Sequence, residues 1–144
     1  MTPSATGDDL RTRSARCVAG LIGTGRVALG AAAVLRPPWA ATPWVGAAQA
    51  RSPAVRVLAR AAGGRDIALG AGSLLALRRP RSARALPLWL AAAAVADATD
   101  VAATVSCWSE LPRSGRSTVT ALASGATLLS TLAAVALHES TSRR

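Results

Sequence analysis

Apolar residues along this chain fall into long blocks, and polar joints that contain arginine and proline separate the blocks. Four blocks cover about residues 17–35, 54–77, 85–108 and 118–137. A helix needs ~20 mainly apolar residues to cross a hydrocarbon core of ~30 Å, and each block approaches or exceeds that length. The pattern therefore predicts an all-α protein, a four-transmembrane-helix bundle over residues 17–138.

The joints predict where these helices end. Arg36-Pro37-Pro38 should stop the first helix, because proline lacks an N–H donor and restrains the residue before it. The segment 38–50 is too short to span a membrane and suits its interface. Pro53 is acceptable in the first turn of the second helix. The basic joint after that helix contains Arg78, Arg79, Pro80, Arg81 and Arg84.

Both ends of the chain are polar. Residues 1–16 are predicted to form a disordered basic cytoplasmic tail ahead of a retained first span. Residues 139–144 are predicted to form a polar C-terminal tail. The chain of 144 residues is thus expected to hold one membrane domain with two short tails.

The net charge of +10 comes with arginine as the only basic residue besides one histidine. In a soluble protein this charge would suggest nucleic acid. Here most arginines stand between apolar blocks, and no aromatic platform accompanies them. We therefore predict no nucleic-acid partner and interpret the arginines as topology signals that contact anionic lipid headgroups.

The distribution of arginine predicts the topology. Nine arginines lie in the two tails and the middle joint, against four to six on the opposite side. Loops that remain in the cytoplasm carry the excess of arginine. Both termini are therefore predicted to be cytoplasmic.

Five charged residues lie well inside the apolar blocks, where a charge costs ~2.5–3.5 kcal/mol on insertion scales. At 1.5 Å per residue, Arg26 lies ~14 Å from the inner surface, and the two aspartates of the third block lie ~18–22 Å from it. The estimated depths of Arg65 and Asp66 in the second block overlap with these. We predict an intramembrane polar cluster of Arg26, Arg65, Asp66, Asp97 and Asp100.

Helix geometry limits how these five residues pair. Asp97 and Asp100 are three apart and share a helix face, whereas Arg65 and Asp66 are adjacent and diverge. One arrangement pairs Arg65 with Asp97 or Asp100, and Asp66 with Arg26. It leaves one carboxylate without a partner.

The cluster admits a structural role, a transport or proton-relay role, and a catalytic role. The spacing of Asp97 and Asp100 is similar to that of metal-binding aspartates in membrane transferases, but the longer acidic signature of those enzymes is missing. Cys17 and Cys107 are predicted at opposite membrane faces, beyond the ~7 Å that a disulfide allows. We predict no catalytic residue, no cofactor and no metal, and an enzyme is not expected.

Two segments of the chain echo each other. Gly25-Arg26-Val27-Ala28-Leu29-Gly30 is similar to Gly64-Arg65-Asp66-Ile67-Ala68-Leu69-Gly70, with one inserted residue. A duplication would place two Gly-Arg pairs in antiparallel helices. Coincidence in an Ala- and Gly-rich chain explains the echo equally well.

The motif from Gly64 to Gly70, the basic joint after it, and Trp89 leading to Ala96-Asp97 resemble a family of small four-helix membrane proteins of actinobacteria. That family is distantly similar to the DoxX-like proteins. The resemblance covers about residues 17–137 and implies a multi-pass protein of the bacterial inner (plasma) membrane, without implying an activity.

The predicted function is that of a small structural or accessory membrane component. The alternative is a small-solute or proton-coupled transporter that acts as a dimer, since four short helices enclose little space. The expected partners are membrane lipids, with a second copy of the chain or another membrane protein beside them.

Overall fold

The computed structural model describes residues 5–79 and 84–142. Within these residues the regular structure is entirely helical, which confirms the all-α class. Pro80 and Arg81 of the basic joint, and Arg143 and Arg144 of the C-terminal tail, lie outside the described residues. The elements are α1 (Ala5–Leu35), α2 (Pro37–Val45), a 3-10 helix (Gln49–Arg51), α3 (Pro53–Arg78), α4 (Leu86–Ser106) and α5 (Arg113–Ser142).

Proline and glycine explain the ends of the first helices. Arg36 has the extended φ of −132° that suits a residue before proline, so α1 ends there and α2 begins at Pro37. Gly46 ends α2 with a φ of +84°, a conformation that favours glycine. Ser52 caps α3, since its side chain accepts a hydrogen bond from the Val55 backbone N–H at 3.3 Å.

The start of α1 differs from the prediction. The helix begins at Ala5, and residues 5–16 are helical where a disordered tail was predicted. Arg16 gives a physical reason, because its Nη2 donates a hydrogen bond to the backbone carbonyl of Leu77 at 2.8 Å. That carbonyl belongs to the last turn of α3, where basic side chains satisfy carbonyls without a helical partner. The bond ties this part of α1 to α3.

The four long helices pack in two pairs, α1 with α3 and α4 with α5, and contacts of α1 with α5 and of α3 with α4 join the pairs. The α1–α3 pair is antiparallel and close. A Cβ built on Gly30 would lie 2.5 Å from the carbonyl oxygen of Gly63, and one built on Gly70 would lie 2.5 Å from that of Gly23. Small residues permit such close contact between helices, and neither position leaves room for a methyl group.

A compact apolar core lies at one end of the molecule. Leu86 and Leu90 at the start of α4 are buried against Ala134 and Leu137 near the end of α5, together with Ala19 and Ala76. Elsewhere, large apolar side chains face outwards: Leu21 is 75% exposed and Leu132 is 67% exposed. Exposed apolar side chains along long helices are typical of surfaces that contact lipid.

Three helices are long and apolar enough to cross a membrane, over Asp9–Leu35, Leu86–Ser106 and Arg113–Ser140. This supports a membrane protein. The sequence predicted four such spans, and α3 is the one that is not apolar enough to qualify. Its 26 residues are long enough, but charged residues recur along it from Arg56 to Arg78.

Candidate functional site

The five predicted cluster residues lie on three helices. Arg26 belongs to α1, Arg65 and Asp66 to α3, and Asp97 and Asp100 to α4. The glycine contacts between α1 and α3 bring the first two helices together at this level. Arg26 lies between Gly23 and Gly30, and Asp66 lies between their partners Gly70 and Gly63. The close approach therefore places the arginine beside the aspartate.

Arg26 is the centre of the cluster. Its side chain is buried, and the residue is only 7% exposed. Nη1 donates to Asp66 Oδ1 at 2.7 Å, and Nη2 donates to Asp97 Oδ2 in a second ion pair. Nη2 also donates to the backbone carbonyl of Ala93 at 3.2 Å. One guanidinium thus joins α1 to both α3 and α4.

Arg65 forms the second half of the cluster. Nη1 and Nη2 donate to the two carboxylate oxygens of Asp100 at 3.2 Å and 2.8 Å. This bidentate geometry is among the stronger arrangements of a charged hydrogen bond. Nη2 also lies 3.5 Å from Asp66 Oδ1. Asp66 therefore connects the two arginines.

The resulting chain of ion pairs runs Asp97–Arg26–Asp66–Arg65–Asp100. The structure pairs Arg65 with Asp100 rather than Asp97, and Asp66 with Arg26. The expected unmatched carboxylate does not occur among these residues, since Asp97 pairs with Arg26. The reason is that a guanidinium has two Nη atoms, and those of Arg26 each bind a different carboxylate.

The cluster is not equally enclosed along its length. The side chains of Arg26 and Asp97 are 9% and 10% exposed, whereas those of Arg65 and Asp100 are 33% and 25% exposed. The Nε atoms of both arginines are buried without a hydrogen-bond partner among the described residues. The Arg26 end is therefore enclosed by protein, and the Arg65 end opens towards the surroundings of the helices.

Other residues considered in the sequence lie apart from the cluster. Cys17 and Cys107 are both free and exposed. His138 lines a cavity with Arg84, Pro87 and Ser142, at the end of α5. Among the described residues, no three histidine, cysteine or acidic side chains are grouped so that they could hold a metal ion.

The Ala93 carbonyl is the contact that sequence reasoning missed. A backbone oxygen leaves no mark in the residue pattern, and Ala93 is one of many alanines in α4. Its place one turn before Asp97 was the available signal, because residues four apart share a helix face. An arginine that reaches Asp97 is then also close to the carbonyl of residue 93.

In comparisons with known proteins, no protein-family model, no curated protein and no solved structure matches the chain. The similarity to small four-helix membrane proteins therefore stays a prediction that rests on the motif around Arg65 and Asp66.

Proposed function

We propose that this protein is a small structural or accessory membrane component, in which the Arg/Asp cluster holds three helices in one register. The observation that carries the proposal is the chain of ion pairs. All three carboxylates of the cluster bind an arginine, and the five side chains come from α1, α3 and α4. A polar network in which every charge is paired suits a structural role.

The energetics of buried charge support this role. An ion pair that is removed from water gains little net stability, but the loss of one partner is strongly destabilising. Such a network therefore penalises every arrangement of helices that separates Arg26 from Asp66 or Asp97. The network therefore favours one packing of the helices more strictly than apolar contacts between alanines would.

We further propose that α3 is a fourth span. It lies antiparallel to α1 along its length, from the Gly63–Gly30 contact to Leu77, which packs beside Gly20. The two charged residues in its middle, Arg65 and Asp66, are both paired. At 1.5 Å per residue, its 26 residues extend ~39 Å, which is enough for the hydrocarbon core.

With four spans, the arginine distribution supports both termini in the cytoplasm of a bacterium whose inner membrane holds the protein. The exposed Cys107 at the end of α4 should then react with a membrane-impermeant maleimide in intact cells, and Cys107→Ser should abolish this labelling. In a Cys17→Ser/Cys107→Ser background, Ser142→Cys should react only after lysis. Labelling of Ser142→Cys in intact cells would contradict the topology.

Transport of protons or of a small solute is the second candidate function, with two copies of the chain enclosing the path. The partial exposure of Arg65 and Asp100, and the two buried Nε atoms without a partner, favour it. Ionisable residues inside a membrane commonly mark ion and proton pathways. An open end of a charged cluster is where a proton or solute would enter.

Proton flux in liposomes separates the two functions. For the structural role, we expect purified protein in liposomes with a trapped pH dye to leave the decay of a pH gradient unchanged from that of empty liposomes. The transport role predicts faster decay that Asp100→Asn abolishes. Glu110→Gln is the matched control, because it neutralises an exposed carboxylate outside the cluster. Faster decay with the wild type and this control, but not with Asp100→Asn, would overturn the structural proposal.

A further inference from the structure

A second charged feature lies at the other end of the helices from the apolar core. The end of α1, the start of α2, the 3-10 helix and the first two turns of α3 line an open cavity of about 440 Å³. Its lining residues are Leu35, Arg36, Pro37, Pro38, Trp39, Arg51, Arg56 and Arg60. Half of them are arginines, and none is acidic.

The four arginines of this cavity have no acidic partner among the described residues. Within residues 5–79 and 84–142, none of their guanidinium groups forms an ion pair or a hydrogen bond. This contrasts with Arg26 and Arg65, whose charges are matched by aspartates. Four like charges around one cavity repel one another, and an anion between them would relieve that repulsion.

Two turns of the chain create this arrangement. The break before Pro37 ends α1 and leaves Arg36 at the junction with α2, while the capped turn at Ser52 places Arg51 just before α3. Arg56 and Arg60 are four residues apart and therefore share one face of α3. Arginines from the α1–α2 junction, the 3-10 helix and α3 thus converge on one space.

We propose that this cavity binds the phosphate group of an anionic phospholipid. Arginine presents N–H groups in a planar fork that matches phosphate oxygens. The remaining walls are apolar, with Leu35 at the end of a candidate span and Trp39 66% exposed beside it. Exposed tryptophan is typical of the headgroup level of a membrane. A soluble phosphate compound would bind the arginines in the same way but would have no acyl chain to contact the apolar walls.

The inference rests on the proposed membrane location and adds a defined headgroup site to it. Native mass spectrometry of the protein in neutral detergent, titrated with phosphatidylglycerol or phosphatidylcholine, measures the retained lipid. We expect phosphatidylglycerol to bind more tightly. Arg56→Gln/Arg60→Gln should weaken its binding at least about tenfold, since each arginine near anionic lipid contributes substantially to attraction.

The matched control is Arg11→Gln/Arg13→Gln, which removes two exposed arginines from the opposite end of α1. It should retain phosphatidylglycerol as the wild type does. Equal loss of binding in both double variants would overturn the site, because the attraction would then depend on net charge alone. No loss in either variant would also overturn it, because Arg56 and Arg60 would then not contribute to binding.

Titration with inorganic phosphate tests whether the ligand is a phospholipid or a soluble phosphate compound. If the lipid is the ligand, millimolar phosphate should leave thermal stability unchanged, whereas phosphatidylglycerol should raise it. Stabilisation by phosphate alone, lost in Arg56→Gln/Arg60→Gln, would overturn the lipid and indicate a soluble phosphate compound. Maleimide labelling tests the membrane location independently, so failure of the headgroup site leaves that proposal standing.

Discussion

Arg26→Met is expected to destabilise this protein more than any other single substitution in the charged cluster. The change leaves Asp97 buried without an arginine partner and removes the 2.7 Å bond to Asp66. Loss of one partner of a buried pair costs ~3–5 kcal/mol in soluble proteins. The free energy of unfolding, measured by denaturant titration in mixed micelles, should fall by about that amount.

Two further variants test whether the unpaired charge causes this loss of stability. Arg11→Met changes an exposed arginine of the same helix and should leave the free energy of unfolding nearly unchanged. Arg26→Met/Asp66→Asn/Asp97→Asn removes the negative charges of both former partners together with the arginine and should recover much of the loss. If Arg26→Met unfolds at the same denaturant concentration as Arg11→Met, Arg26 does not hold the helices together.

Arg65→Leu should show coupling to Asp100→Leu and none to Asp97→Leu. Arg65 binds both carboxylate oxygens of Asp100, whereas Asp97 binds Arg26. The single change should cost ~1.5–3 kcal/mol, the range for a hydrogen bond to a charged group. This loss is smaller than that for Arg26, because the Arg65 side chain is 33% exposed and Asp66 keeps its bond to Arg26.

A double-mutant cycle on the free energy of unfolding measures this coupling. The cycle with Asp100→Leu should give an interaction energy of ~0.5–3 kcal/mol, and that with Asp97→Leu should be additive within ~0.5 kcal/mol. Additivity in both cycles would show that Arg65 is coupled to neither aspartate of α4. The transport function would then gain support, with Arg65 facing a solute path.

The membership of the cluster was predictable from sequence, but its pairing was not. Depth along a helix follows from counting residues, and the five charges had overlapping estimated depths. Which carboxylate meets which arginine depends on how far each helix is rotated about its axis, and one residue changes that direction by ~100°. The assignment of Asp97 to Arg26 therefore needed the arrangement of α1, α3 and α4 relative to one another.

The echo between Gly25–Gly30 and Gly64–Gly70 gains a geometric counterpart in the structure. Val27-Ala28-Leu29-Gly30 and Ile67-Ala68-Leu69-Gly70 align without an insertion when the residue numbers are shifted by 40, and Gly23 then corresponds to Gly63. These glycines contact each other across the antiparallel pair, Gly23 with Gly70 and Gly30 with Gly63. Gly23, Gly30, Gly63 and Gly70 thus form one interface, whereas a Cβ built on Gly25 or Gly64 would meet no atom within 4 Å.

By itself, the sequence determined that this protein is helical and where several helices end. Long apolar blocks without alternation favour helices, and proline at 37 and 53 restricts the backbone locally, so neighbouring residues were enough. The tertiary structure alone decided the packing of α3 against α1, the helical start at Ala5, and the convergence of four arginines on one cavity. Each of these depends on contacts between residues far apart in the chain, as between Arg16 and Leu77. No local pattern contains that information, because it depends on how closely and at what rotation the helices meet.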